Sequence, residues 1–484
     1  MRHIRSLSVP TFLFGCLGLV GCGDDNGAPS QKDAAADASP IQTNADSGST
    51  ATQSDAGVAS TDANAATLDT NAVTLDAGTV TLDASTVALD SGAVTLDAST
   101  VALDAGTVAV SIRGIVASHS DYQSTAVSLL DRNGNVVKDG CINSGTGGPG
   151  LTKTLSGDVA LPSQISATSA ITLVDRGNST LVWIDPTTCA PLRQLAVGTG
   201  FKANPHDYVE LSASKAYVPR YEQNLAATSA PGDFDDGNDL LIVDPTQPKI
   251  VGRIDLTPFA PAGVLPRADH ALLADGKVFV SLNASNAKYG SNATGRLVMV
   301  DPSADQVIGT VDLPGTKNCG AMTYLPADKK LMVACTGDYG DANQADGSAV
   351  VTLSLAATPP VVIAKVAASS VGGLIFSNST VAALDGNSVL GVTMGDFSNT
   401  PPDSLWLLPQ DGTSPSKIFD SAEAYSLGAV LVDAERGRVF LADGTTVATP
   451  SVRVFDRVAG TFQATATIAT NPTQKLPART LAWF

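Results

Sequence analysis

Four side chains that could bind a metal ion stand in two pairs, His206-Asp207 and Asp269-His270. Each pair lies near the start of a predicted β-strand. Imidazole and carboxylate groups are common ligands of transition metals, so these four would satisfy one if their geometry converged. The alternative interpretation is that His206 and Asp207 cap the end of a strand.

A second candidate metal site is an acidic loop whose composition is similar to that of a calcium loop. Its carboxylates are Asp233, Asp235, Asp236 and Asp239. Gly237 lies one position earlier than the glycine of an EF-hand loop, and no Glu occupies position twelve. A solvated turn is therefore the competing interpretation. The sequence requires no cofactor, and calcium or a transition metal is the kind of ion that these two sites could take. The chain has no Gly-x-Ser-x-Gly elbow and no Gly-rich phosphate loop, so these enzymatic motifs are absent.

From about residue 110 to 484 the chain consists of short β-branched runs separated by Gly, Asp, Asn and Pro turns. An apolar run that ends at Asp-Pro occurs in three clear copies, at 179–186, 239–245 and 295–302, and weaker copies lie at 347–355, 403–409 and 450–456. A further hairpin precedes each copy, as at 270–281, so each unit supplies four strands. A spacing of roughly fifty to sixty residues is typical of one propeller blade with its loops. We therefore predict an all-β domain.

The segment 204–224 contains Asn-Pro-His-Asp and Ala-Tyr-Val-Pro-Arg-Tyr, and it continues to Ile-Val-Asp-Pro at 242–245. This pattern resembles the repeat of YVTN-type β-propellers, although Pro219-Arg220 departs from it. The resemblance implies a seven-bladed β-propeller over 110–484, which would be monomeric. It implies little about the ligand.

The two ends of this domain complete one blade. The C-terminal segment 479–484 is predicted to be an innermost strand with no partner after it, and 111–142 supplies three strands with no innermost strand before them. Joining them gives a composite first blade, which removes exposed sheet edges.

Propeller topology predicts which face carries function. The long connections between second and third strands emerge on the face where the chain enters each inner strand; they are 222–238, 283–295, 336–347 and 395–403. His206, Asp207, Asp269 and His270 lie on that face. Arg220 and Tyr221 end the adjacent strand and could line the mouth of the channel with them, unless Arg220 pairs with a neighbouring carboxylate.

Two functional hypotheses follow. A rigid ring with one elaborated face favours a non-enzymatic protein that binds an unknown protein or glycan partner. The alternative is an extracytoplasmic hydrolase or lactonase of propeller type, which three or more convergent carboxylate or imidazole groups near the channel mouth would favour. Nucleic acid is excluded as a partner, because the formal net charge is −18 and no basic stripe is present.

Four cysteines remain after the N-terminal segment, an even number that is typical of an oxidising compartment. Cys319 and Cys335 flank a predicted hairpin, which places them opposite each other and predicts a disulfide. Cys141 and Cys189 either form a second disulfide or remain free thiols, because one follows a last strand and the other lies in a turn.

Residues 1–21 have the features of a secretory signal. Arg2 and Arg5 precede an apolar run at 9–20 that is too short to span a membrane. The sequence Leu-Val-Gly-Cys at 19–22 resembles the lipobox of bacterial lipoproteins, which implies lipidation of Cys22; the alternative is an ordinary signal with a chance cysteine. Because Gly23 follows, the resemblance favours the outer membrane or cell surface over the inner membrane.

Residues 22–109 form a predicted tether. From 23 to 109 there are thirteen Asp, one Lys and no aromatic residue, which gives a net charge of −12. Such a composition cannot bury a core, so we expect disorder. Leu-Asp recurs every seven residues with Val five residues after each Leu, which is not coiled-coil spacing. These units favour a flexible stalk over a small stacked β-structure.

Cys22→Ser is expected to leave the protein unprocessed or released from the membrane, because Cys22 is the one lipidation candidate. Cell fractionation with mass spectrometry of the mature N-terminus measures this. Cys16→Ser is the control, because Cys16 is removed with the signal and its variant should stay membrane-bound. Retention of a processed Cys22→Ser protein in the membrane would contradict the lipid anchor.

Overall fold

A computed structural model of the protein describes residues 112–166, 168, 170–339, 341–396, 401–445 and 451–484. The predicted signal sequence, Cys22 and the predicted tether lie outside these residues. The described part contains 28 β-strands in seven antiparallel sheets, with short 3-10 turns at Thr257–Phe259, Pro326–Asp328, Gln344–Gly347 and Ala368–Val371. Within these ranges, no helix has the length and apolar character needed to cross a membrane.

Blade 1 combines strands from both ends of the described chain, whereas blades 2 and 3 each use consecutive strands. From the inner to the outer strand, blade 1 is β28 (Ala478–Trp483), β1 (Gly114–Ser120), β2 (Thr125–Asp131) and β3 (Val136–Asn143). Blade 2 is β4 (Val159–Ala160), β5 (Ile171–Asp175), β6 (Thr180–Ile184) and β7 (Pro191–Ala196). Blade 3 is β8 (Val209–Ser212), β9 (Lys215–Gln223), β10 (Gly237–Asp244) and β11 (Lys249–Asp255).

The other four sheets each use consecutive strands. Blade 4 is β12 (Ala268–Ala274), β13 (Lys277–Leu282), β14 (Thr294–Asp301) and β15 (Gln306–Lys317). Blade 5 is β16 (Cys319–Leu325), β17 (Lys330–Thr336), β18 (Ser348–Ser354) and β19 (Val361–Ala367). Blade 6 is β20 (Ile375–Asp385), β21 (Ser388–Met394), β22 (Ser404–Pro409) and β23 (Ser416–Asp420). Blade 7 is β24 (Leu427–Asp433), β25 (Arg438–Asp443), β26 (Ser451–Val458) and β27 (Thr461–Ala469).

The hydrophobic core is divided among the spaces between blades. Seven clusters of buried apolar side chains are present, and each draws on two neighbouring blades. The cluster between blades 4 and 5, for example, joins Phe279 to Leu331. Because both faces of every sheet are covered, the two central strands read as continuous apolar runs, such as Leu240–Val243 in β10. The ring therefore depends on contacts between neighbours on both sides of each blade.

Pairing of β28 with β1 closes the ring, as the sequence predicts. The register runs from Ile115 opposite Trp483 to His119 opposite Ala478. The carbonyl of Phe484 also accepts hydrogen bonds from the backbone N–H groups of Arg113 and Gly114, at 2.6 and 3.1 Å. A C-terminal segment and an N-terminal hairpin thus share one sheet, and the prediction of a seven-bladed all-β propeller is confirmed.

Both cysteine pairs are disulfide-bonded. Cys319 and Cys335 face each other across β16 and β17, with Cα atoms 3.9 Å apart. Cys141 and Cys189 also form a bond, with Cα atoms 5.2 Å apart, and it joins blade 1 to the turn between β6 and β7 of blade 2. The sequence left this second pair open because it could not place those two segments side by side.

Removal of residues 479–484 is expected to lower the free energy of unfolding by roughly 5 kcal/mol or more, because it removes the buried Leu481 and unpairs β1. Calorimetry should show a melting temperature roughly 10 °C lower. Leu192→Ala is the control, because Leu192 is 45% exposed on an outer strand. Equal melting temperatures for the truncated and intact proteins would contradict closure by β28.

Candidate functional site

Ser163 and Gln164, which follow β4, reach from blade 2 to blades 3 and 4. The backbone N–H of Ser163 donates to Asp207 Oδ1 in blade 3 at 2.9 Å. Gln164 Oε1 accepts the N–H of Leu273 in blade 4 at 3.0 Å. Since Gln164 belongs to blade 2, this bond passes blade 3 on the channel side. Polar groups of blade 2 therefore fill part of the channel beside the candidate site.

Asp207 acts as a junction between three blades. Besides Ser163 its carboxylate accepts the N–H of Tyr208 at 2.8 Å and that of Ala271, on β12, at 3.0 Å. The side chain is buried, and this burial raises its pKa above the usual value even though the backbone N–H donors oppose the shift. These contacts match the interpretation of Asp207 as a strand-end group.

Asp269 brings the two histidines together. Its Oδ1 lies 2.6 Å from His206 Nδ1 and 3.0 Å from His270 Nδ1, and its Oδ2 accepts a hydrogen bond from Asn283 Nδ2 at 2.8 Å. Gly320 lets blade 5 pack here, because a Cβ at that position would lie 2.8 Å from Asp269 Oδ2. Three of the four predicted groups therefore converge directly, around one buried carboxylate.

The three groups have different protonation preferences. Burial lowers the pKa of His206, and Asp269 offsets only part of this shift. Burial also lowers the pKa of His270, but Asp269 and then Asp207 outweigh it, so the pKa is raised. For Asp269 burial raises the pKa, but the two imidazoles outweigh this effect and hold it well below its usual range. Asp269 is thus the anion, and His270 gains a proton more readily than His206 does.

Neutral His206 must carry its proton on Nδ1, because the facing Asp269 oxygen accepts a hydrogen bond. Its Nε2 is then a lone-pair acceptor, and that atom is buried without a hydrogen-bond partner among the described residues. A ring held by a carboxylate with the other nitrogen free is the arrangement of a general base or a metal ligand.

A stack of flat side chains extends from His206 toward the surface. Tyr221 lies on His206 with ring centroids 4.3 Å apart and planes within 10°. The Arg267 guanidinium carbon lies 5.3 Å from the Tyr221 centroid and 4.0 Å from that of Tyr289. Glu222 accepts hydrogen bonds from Arg267 and from the Tyr289 hydroxyl. Tyr289 is 36% exposed, so it presents this stack to solvent.

Sequence reasoning missed three members of this stack. Arg267 lies two residues before Asp269, Glu222 directly follows Tyr221, and Tyr289 is in the connection between β13 and β14. Tyr221 and Asp269 were selected because they lie at the face where the chain enters the inner strands. The same criterion also selects Arg267 and Glu222. Topology places them on one face, but their mutual contact could not be obtained from one sequence, because it depends on the direction in which each side chain points.

Arg220 does not line the channel mouth, in contrast to the expectation that grouped it with Tyr221. It is fully buried, and its Nε and Nη2 donate to the two oxygens of Asp239, at 2.7 and 2.6 Å. Nη1 donates to Thr199 Oγ1 at 2.7 Å, and Nη2 also donates to the Phe234 carbonyl at 2.6 Å. A buried guanidinium needs such a set of acceptors. Side chains alternate between the two faces of a strand, and this alternation turns Arg220 into blade 3.

The acidic loop proposed to hold calcium is closed by its own hydrogen bonds. Asp235 accepts the N–H groups of Thr228 at 2.7 Å and Ser229 at 3.1 Å. Asp233 accepts the Thr228 hydroxyl, and Asp236 contacts Ser229 and, at 2.9 Å, Arg253. Asp239 is occupied by Arg220, so each of the four carboxylates is already engaged by groups of the protein.

The described residues contain no group of three or more His, Cys, Asp or Glu side chains arranged to hold a metal ion. Neither the acidic loop nor the His206, Asp207, Asp269 and His270 set therefore assembles there as a metal site. At the histidine cluster the reason is geometric. His206 Nδ1 bonds Asp269, His270 Nδ1 lies 3.0 Å from the same oxygen without hydrogen-bond geometry, and Asp207 is committed to backbone N–H groups.

The loop face is defined here as the described residues of four connections, 224–236, 283–293, 337–339 with 341–347, and 395–396 with 401–403. It also includes the strand ends that flank them and the segments that enter the inner strands. Contacts between blades hold these connections in place. Asp338 accepts the N–H of Asn292 from the neighbouring blade and pairs with Lys317. Asp403 accepts the N–H groups of Ser426 at 2.7 Å and Leu427 at 2.9 Å, at the start of blade 7. The predicted clustering of these connections on one face agrees with these bonds.

Comparison with known proteins shows similarity of fold. No protein-family model matches the chain, and no curated protein does. A Bacteroides fragilis protein provisionally named a 6-phosphogluconolactonase superposes with a TM-score of 0.50 at 9% identity, covering 78% of this chain and 99% of that one. A Bacteroides uniformis protein with the same provisional name gives 0.49 at 10% identity, with 77% and 99% covered.

Hydrazine synthase from Kuenenia stuttgartiensis superposes with a TM-score of 0.47 at 10% identity, covering 76% of this chain and 99% of that one. At such low identity a structural similarity shows the fold alone, because propellers support many unrelated functions. Together, the seven sheets, their closure and the similarity to the Bacteroides fragilis structure show that this chain contains a seven-bladed β-propeller.

Proposed function

We propose that this protein is a lipid-anchored protein of the cell envelope whose monomeric propeller is a non-enzymatic binding module. Cys22 provides the anchor, and the acidic tether lifts the propeller away from the membrane. The outer membrane or the cell surface is the proposed location. The loop face presents the propeller to a protein or glycan partner.

The observation that carries the proposal is the bonding of loop-face connections across blades. Glu222 of blade 3 binds Arg267 and Tyr289 of blade 4, and Asp338 of blade 5 binds Asn292 of blade 4. A surface that is already ordered loses less conformational entropy on binding, so its contacts yield more affinity. Tyrosine and arginine, both present in the stack, are also enriched among the residues that dominate binding energy.

A pull-down from envelope extract tests the binding function. Tyr289→Ala is expected to reduce partner capture about tenfold or more, because it removes the exposed end of the stack. Gln247→Ala is the matched control, since Gln247 is exposed in the turn between β10 and β11 on the opposite face. Equal capture by both variants, with unchanged melting temperatures, would contradict a binding role for this face.

One observation supports an enzyme as the second candidate. The His206-Asp269 pair, with His206 Nε2 free, could activate water toward an ester or lactone carbonyl. A hydrolase of this kind predicts turnover of a lactone or ester panel followed by pH-stat. It also predicts a loss of roughly a hundredfold or more in His206→Gln, because the general base is removed. No turnover above the buffer rate would leave the binding module as the proposal.

A further inference from the structure

A polar cavity lies at the rim of blade 3, outside the histidine cluster. Its volume is about 300 Å³, at the small end of the range for ligand sites. Its walls come from the end of β9, the connection 224–236 and the end of β11. The side chains that matter for its chemistry are Leu225, Asp236, Asn238, Arg253 and Asp255.

Hydrogen bonds and a tight backbone turn hold the cavity wall in place. Asn224 donates its N–H to the Asp236 carbonyl at 2.9 Å and its side-chain amide to the Asp235 carbonyl at 2.7 Å. Gly237, at φ 73°, completes this turn; a Cβ there would lie 2.2 Å from the Glu222 carbonyl. The cavity is therefore formed before any ligand binds.

The cavity is lined by both hydrogen-bond donors and hydrogen-bond acceptors. Arg253 is fixed by Asp236 at 2.9 Å and by Asp239 at 3.4 Å, and its side chain remains 26% exposed. Asp255 is exposed, and one of its oxygens accepts the N–H of Thr257 at 2.9 Å. Asp236, Asp255 and Arg253 together carry one net negative charge, so the lining disfavours a phosphate or another anion.

Asn238 supplies a second, independent observation. The residue is 2% exposed, lines the cavity, and its Oδ1 finds no hydrogen-bond partner among the described residues. A buried amide oxygen without a donor destabilises a protein, and a donor from a bound molecule would remove that cost. Asn238 also adopts φ 52°, a conformation that asparagine tolerates better than most residues.

Leu225 supplies an apolar contact at the rim, because it lies in the lining with 90% of its surface exposed. A ligand that fits this cavity needs hydroxyl groups, which both donate and accept, together with a small apolar face. A sugar ring combines these properties without a formal charge.

We propose that the blade 3 cavity binds one hydroxyl-rich sugar residue of an envelope or extracellular glycan. This inference rests on the proposed binding function and names the chemical class of its partner. A hydroxyl donates to Asn238, Asp255 accepts from a second hydroxyl, Arg253 donates to a ring or hydroxyl oxygen, and Leu225 packs against the C–H face.

The test is saturation-transfer NMR with a panel of methyl hexosides and methyl N-acetylhexosaminides. It uses the full-length protein in a detergent that has no sugar headgroup. At least one glycoside should receive saturation, and competition titrations give its affinity. Asn238→Gly is expected to weaken that affinity at least fivefold while leaving the melting temperature unchanged or higher, because glycine accepts the same φ and no protein hydrogen bond is lost.

Asn318→Gly is the matched control. Asn318 has φ 53° and lies at the entrance to blade 5, away from this cavity, so its variant should keep wild-type affinity. Asp255→Asn, which retains the side-chain shape, should also weaken binding. Its failure to do so, or equal affinities of the Asn238→Gly and wild-type proteins, would overturn the site.

Two outcomes separate this inference from the proposed function. If no glycoside binds but envelope capture still depends on Tyr289, the sugar site is wrong and the binding module stands. If no glycoside binds and envelope capture does not depend on Tyr289, both proposals fail.

Discussion

Pairing of β28 with β1 is the interaction on which the other contacts depend. Each of the seven apolar clusters lies between two blades, so a ring opened at blade 1 would expose clusters on both sides of that blade. The Phe440 and Trp483 rings meet edge to face at 6.0 Å across the same junction. A single strand of six residues thus keeps both ends of the described chain in one cooperative structure.

Closure also determines where the functional groups lie. Inner strands in a closed ring converge, so residues 63 apart in the sequence, His206 and Asp269, come into hydrogen-bond contact. Asp207 bonds backbone groups of blades 2, 3 and 4, and Asp403 bonds those of blades 6 and 7. Each of these buried side chains therefore links the backbone of two or three blades through several hydrogen bonds. The loop face is consequently a rigid part of the ring.

Much of this fold could be predicted from the sequence. Short apolar runs, Asp-Pro turns and the spacing of the repeated units identified the third strand of six blades. The unpaired strands at the two ends of the domain identified the closure of the ring. The short inner strand β4 was not predictable, because the channel segment after it has no distinctive pattern. The His206, Asp269 and His270 grouping was predictable from topology. The burial of Arg220 with Asp239 was only an alternative, since strand position alone does not tell which way an arginine faces.

Hydrogen–deuterium exchange in the free protein tests most directly whether the loop face is preformed by the closed ring. The amides of Thr228, Ser229 and Asn292 donate to the carboxylates of Asp235 and Asp338. A preformed face predicts that these amides exchange at least roughly tenfold more slowly than in unstructured peptides, before any partner is added. Exchange at peptide rates, with protection appearing only when envelope extract is added, would contradict it.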